Sequence, residues 1–187
     1  MLNYKWKTTS DYVLIDVNCT KLHGRIIEIC CVKVKNDEIS DTLHSFINPN
    51  FQKSKEKENW LEYEQYPTID DLKQQIYDFV GKNTIVGWCV DYDIQRLSVE
   101  GIVFDTTVVD VFEPWHRYLH NEVPYCSLRN VYEWNYESCS KFRIYDFDKT
   151  YDKCLATKQL YDSQKHYNMV KYQRKLETMR RNGYKNV

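Results

Sequence analysis

A chain of 187 residues has the length for one sizeable core, and its formal net charge of −1 gives no global pull toward a polyanion. Hydrophobic content of 42% and charged content of 28% are those of an ordinary soluble globular protein. No apolar run reaches the length of a membrane span and no stretch reads as a signal peptide, so a cytoplasmic protein without membrane contact is expected. The seven cysteines are odd in number and form no Cys-x-x-Cys pair, which excludes a disulfide framework and a zinc site. Cys30, Cys31 and Cys89 lie in apolar runs and are expected in the core. A single domain over 1–187 follows, with 165–187 as a basic C-terminal helix or tail.

The first apolar run, Tyr12-Val13-Leu14-Ile15, ends on Asp16 and breaks into a polar turn carrying Asn18, Thr20, Lys21 and Gly24. A second run covers Ile26 to Val34, so the two read as adjacent buried strands. A carboxylate where a strand leaves the core is a candidate metal ligand or catalytic group, and equally a cap for the turn. Asn36-Asp37 signals a turn into a third strand over Thr42 to Ile47, which Asn48-Pro49-Asn50 stops. Gln52 to Asn59, rich in lysine and glutamate, reads as a solvated loop from which Trp60 re-enters the fold. His23 and His44 are single histidines with no role beyond packing or surface.

Thr68 is a candidate N-cap, with Asp70 and Asp71 in the first turn of a helix that Gly81 ends. Its apolar residues Ile69, Leu72, Ile76, Phe79 and Val80 recur at helical spacing. Thr84 to Trp88 is a buried strand, Asp91 to Leu97 opens a helix, and Val108-Val109 is a short strand ending at Asp110. Pro114 starts a helical stretch to Leu119. Leu128, Val131, Tyr132 and Trp134 mark another helix, and the last runs from about Thr150 to Arg181. The order β-β-β-α-β-α-β-α-α predicts an α/β fold, a mixed sheet of about five strands flanked by helices.

Tyr12 to Val34 resembles the first motif of the DEDD superfamily of 3′–5′ exonucleases. That motif is an apolar strand, Asp-x-Glu-x-Thr, a short loop, and a strand like Arg-Ile-Ile-Glu-Ile-x-x-Val-Lys-Val. Asp16, Thr20, Arg25 to Ile29 and Val32-Lys33-Val34 match, whereas Asn18 stands where the second acid belongs. Further weak matches follow in order. Phe46-Ile47-Asn48-Pro49 is similar to the third strand and its exit. Thr84 to Leu97 is similar to the second motif, with Asp93 at its aspartate. Val109-Asp110 and Pro124 to Val131 are similar to the segments before the third motif. In the third motif, aligning Leu155 to Leu160 without a gap puts Lys153 at the aspartate and Asp148 at the histidine. A one-residue shift would offer Asp152 as the acid, with Phe147 at the histidine.

The resemblance implies a ribonuclease H-like fold and two-metal phosphodiester hydrolysis, in which carboxylates hold two hard cations about 4 Å apart. It makes Asp16 the bridging ligand and Asp93 an outer one, with Asp152 a third remnant if the register shifts. Asn18 removes one negative charge, Lys153 would repel a cation, and no histidine is left as general base. A catalytically inactive domain is therefore expected, with Mg²⁺ or Mn²⁺ bound weakly at Asp16 and Asp93 if at all. Asp91, Asp110, Asp146, Asp148 and Asp152 could supply a rearranged site or serve as caps and surface residues.

From Lys165 onward, Lys171, Arg174, Lys175, Arg180, Arg181 and Lys185 face a single acid, Glu177, with Tyr167, Tyr172 and Tyr184 interleaved. Basic residues with aromatics suit a strand of nucleic acid, and Arg174, Lys175, Arg180 and Arg181 are the candidate contacts; a solvated helix face is the alternative. The 16 tyrosines also suit a protein-binding surface. Three functions stay open: an inactive exonuclease-fold module binding single-stranded nucleic acid or a protein partner, an active exonuclease with an atypical metal shell, and a purely protein-directed inhibitor or adaptor.

Overall fold

The computed structural model describes residues 9–21, 24–50, 57–119, 127–136 and 143–181, and leaves out the side chains of 57–60, 117–119 and 167–181. The strands β1 (Tyr12–Cys19), β2 (Ile26–Lys35), β3 (Glu38–Phe46), β4 (Thr84–Gly87) and β5 (Val108–Asp110) form one sheet ordered β3-β2-β1-β4-β5. The first three strands pair antiparallel, while β4 and β5 join in parallel. The helices are α1 (Ile69–Val80), α2 (Val90–Val99), α3 (Phe112–Leu119), α4 (Leu128–Tyr136) and α5 (Thr150–Arg181).

Period-two alternation sends the strand residues to two cores. Tyr12, Leu14, Cys30 and Val32 face Val131, Tyr132, Leu160 and Tyr161 of α4 and α5. Val13, Ile15, Ile29 and Cys31 face Ile76, Val80, Val90 and Leu97 of α1 and α2. Each fully buried aliphatic side chain contributes about 1.5–3 kcal/mol, so this double-sided burial holds the sheet in register. Asn36 and Asp37, both at positive φ (52° and 66°), make the tight β2–β3 hairpin that the Asn-Asp pair signals. The Thr68 hydroxyl caps the Asp71 N–H and the Asp71 carboxylate accepts the Thr68 N–H at 2.8 Å, closing a capping box. Gly87 lets β4 approach β1: a Cβ there would lie 2.8 Å from Val90 and 3.1 Å from the Ile15 carbonyl.

Some expectations are corrected. β1 does not end at Asp16; its ladder with β2 continues through Asn18↔Glu28 and, past an irregularity, Cys19↔Ile26, because β2 offers it partners that far. The acidic-basic loop becomes a 3-10 helix over Lys57–Gln65, while residues 51–56 lie outside the described ones. Cys89 is exposed rather than core, since it takes the left-handed conformation (φ 53°) that turns β4 into α2. Trp134 is 44% exposed, and Tyr136 takes the buried position on α4. Tyr4, Trp6, His23, Pro124, Tyr125, Cys126 and Cys139 lie outside the described residues. Among the described residues, no helix is long and apolar enough to cross a membrane.

Candidate functional site

The site forms because β1 is longer than its parallel neighbour. Pairing with β4 stops at Leu14↔Val86, so Asp16, Val17 and Asn18 run on past it. The Val17 N–H donates instead to Asp93 Oδ1 at 3.4 Å, from the first turn of α2. Asp93 is 4% exposed, and burial, together with the neighbouring Asp16 charge, raises its carboxyl well above the usual range.

Asp16 and Asn18 share the β1 face with Leu14, the face that α5 covers. The first turn of α5 brings Lys153 onto them. Its Nζ lies 2.5 Å from Asp16 Oδ2 and donates to Asn18 Oδ1 at 2.8 Å. Asn18 Nδ2 donates onward to Glu28 Oε2 (2.6 Å) and to the Asp148 carbonyl (2.8 Å). Glu28 Oε1 then meets His44 Nε2 at 2.7 Å, and the His44 ring stacks on Tyr151. The result is a continuous polar chain, Asp16–Lys153–Asn18–Glu28–His44, across three strands and a helix. Burial pushes the Asp16 carboxyl up to about 6 against the pull of Lys153. The ion pair is therefore formed at neutral pH.

Of the third-motif candidates, Lys153 is the one that α5 brings to Asp16. Asp152 accepts the Asp146 N–H at 2.8 Å instead of joining Asp16 and Asp93. Phe147 packs against Tyr132 and Tyr145, and the Asp148 side chain is exposed. The other acids do not join the cluster either. Asp110 Oδ1 accepts the Cys89 and Phe112 N–H groups, Asp146 Oδ1 accepts the Asp148 N–H, and Asp91 is exposed. Lys165 is spent on packing: its ammonium lies 2.5 Å from Asp37 Oδ1 and over the rings of Tyr12 and Tyr161. The backbone of α5 is helical through Arg181, but the side chains of Arg174, Lys175, Arg180 and Arg181 lie outside the described ones.

Sequence reasoning missed Glu28 and misjudged His44, which is neither mere packing nor mere surface. A signal existed for Glu28: it shares the parity of Cys30 and Val32, so an acid stands on a buried strand face and requires partners. His44 could be found only from the register, which places it opposite Cys30 and within reach of Glu28.

The residues do not fit a two-metal centre. An ammonium occupies the face of Asp16 that a cation would need, Asn18 is neutral, and Glu28 is committed to Asn18 and His44. Among the described residues, no cluster of three or more His, Cys, Asp or Glu side chains could hold a metal ion.

No family model matches the chain. It is 27% identical over 133 residues to the DNA polymerase III PolC-type of Clostridium perfringens and 25% identical over 135 residues to that of Caldanaerobacter subterraneus subsp. tengcongensis. These alignments cover 65% and 66% of the chain but only 9% and 10% of the polymerases, so the chain spans about a tenth of those relatives. Among solved structures, it superposes on Exonuclease X in complex with 5′ overhanging duplex DNA with TM-score 0.56 and 17% identity, covering 80% of this chain and 89% of that one. The zinc-bound E. coli ExoI–ssDNA complex gives TM-score 0.63 at 11% identity over 82% of this chain and 40% of that one. A 3′-exonuclease recognising the 3′ end of a histone mRNA stem-loop gives 0.57 at 12% identity, covering 82% and 80%. With its mixed sheet and flanking helices, the chain has the ribonuclease H-like α/β fold of these exonucleases.

Proposed function

We propose that this chain is a catalytically inactive exonuclease-fold module that binds single-stranded nucleic acid at the cleft between Asp16 and Asp93. The observation that carries the reading is Lys153, whose ammonium bridges Asp16 and Asn18 where hydrolysis would need a divalent cation. A fixed positive charge at that point neutralises Asp16 while supplying neither an activated water nor a second cation. Three structural neighbours are described with DNA or RNA, which supports nucleic acid as the ligand class. Arg174, Lys175, Arg180 and Arg181 add a basic run suited to tracking a backbone.

The test is incubation of labelled single-stranded DNA and RNA with Mg²⁺ or Mn²⁺, beside equilibrium binding of the same strands. The expected result is binding without cleavage. Metal-dependent cleavage abolished by Asp16→Ala would show an active exonuclease, and absence of binding would assign the fold to a protein partner.

A further inference from the structure

We infer that Arg96 is the cationic half of an oxyanion site, one that takes a phosphate group beside the Lys153 cleft. Arg96 lies on α2, one turn beyond Asp93, and is 7% exposed. Its Nε is buried without a partner, and among the described residues its side chain makes no hydrogen bond or ion pair. The other cations of this region are matched: Lys153 by Asp16, Arg25 by Glu100 and Lys158 by Asp162.

Helical spacing sharpens the point. The acids three residues before and four after Arg96 are Asp93 and Glu100, the positions from which a helix neutralises its own arginine. Asp93 is turned to the Val17 N–H, and Glu100 is taken by Arg25 at 3.4 Å. Both natural counter-charges are thus directed elsewhere. The buried Nε then bears its desolvation penalty with no protein acceptor in return, unless a partner arrives from outside.

The surroundings suit an anion. At the end of β1, burial raises the Cys19 thiol, and beside it the charges of Arg96 and Lys153 act against that of Asp93. The next residue, Thr20, carries a buried hydroxyl without a partner. The fork of a guanidinium matches two oxygens of a phosphoryl group, and phosphate is the anion that a nucleic-acid strand brings to this cleft. The identity of the ligand rests on the nucleic-acid reading above; the unmet charge of Arg96 does not.

The experiment compares the wild-type chain, Arg96→Met and Arg96→Lys by thermal unfolding. Each is measured in chloride, in low-millimolar inorganic phosphate at matched ionic strength, and with a short single-stranded oligonucleotide. Arg96→Met keeps the apolar stem as far as the position of Nε and deletes the charge, so it is expected to raise Tm in chloride by relieving the unpaired cation. A ligand at tenfold its Kd should raise wild-type Tm by about 2–5 °C, a rise lost in Arg96→Met and partly kept in Arg96→Lys. Oligonucleotide affinity should fall about ten- to hundredfold in Arg96→Met. A response to phosphate alone assigns a free anion, and a response to the oligonucleotide alone assigns a strand phosphate. A lower Tm for Arg96→Met in chloride, or an equal ligand response in both proteins, would overturn the inference. Equal oligonucleotide binding by both proteins would leave the nucleic-acid reading standing. Loss of all oligonucleotide binding with a surviving phosphate response would remove that reading and keep the site.

Discussion

Replacing Lys153 by methionine isolates the contact on which the site turns. At an effective dielectric of about 20, unit charges 2.5 Å apart attract by about 6–7 kcal/mol, and desolvation of both heads returns several kcal/mol of that. Lys153 and Asp16 are 18% and 13% exposed, so solvent screens the pair only in part. Truncation should therefore cost about 2–3 kcal/mol at pH 7, or roughly 4–12 °C in Tm for a chain of this size. The cost has a signature in pH. The Asp16 carboxyl already sits at about 6 in the folded protein, above its ordinary value. Without the ammonium it rises further, and at pH 5 it is protonated in both proteins. The deficit should accordingly shrink by about 1–1.5 kcal/mol between pH 7 and pH 5. Urea unfolding at the two pH values measures both quantities, and a cycle with Asp16→Asn returns the coupling. A variant within about 0.5 kcal/mol of wild type at pH 7, or one whose deficit ignores pH, would refute the claim that the ammonium holds this carboxylate.

Combining Asn18→Glu with Lys153→Asp should restore two acids and remove the blocking charge. Millimolar Mn²⁺ is expected to raise the Tm of that double variant by about 3–6 °C and leave wild type unmoved, as read by differential scanning fluorimetry. Neutralising Arg174, Lys175, Arg180 and Arg181 together should lower the slope of log K against log salt for single strands by about 3, measured by fluorescence anisotropy. Because Asp16 and Asp93 both titrate above their ordinary values, the native state holds their protons longer than the unfolded chain. Their contribution to stability is therefore full below the ordinary carboxylate range and falls as pH rises, for Asp16 through about 6. Asp16→Asn should flatten that decline in unfolding experiments across the same window.

Local pattern was enough for the elements: alternation marked β1 and β2, Thr68 and Gly81 bounded α1, and the order of strands and helices led to the sheet class. Resemblance to the exonuclease motifs singled out Asp16, Asn18 and Asp93, and Lys153 in one of two registers of the third motif. What the chain alone left open was the choice between Lys153 and Asp152. Neighbours on a helix point about 100° apart, and only the docking of α5 on the sheet determines which of them faces Asp16. The partnership of Glu28 with His44 was invisible for a related reason: it depends on the register between β2 and β3, which a one-residue slip would abolish. Arg96 carried no signal at all, since an arginine on a helix is ordinarily solvated. Its burial, and the diversion of Asp93 to Val17 and of Glu100 to Arg25, exist only once the end of β1 and the loop after it have closed over α2. Sequence periodicity records which face of each element is apolar. Which polar groups meet is decided by long-range packing, and no local pattern encodes it.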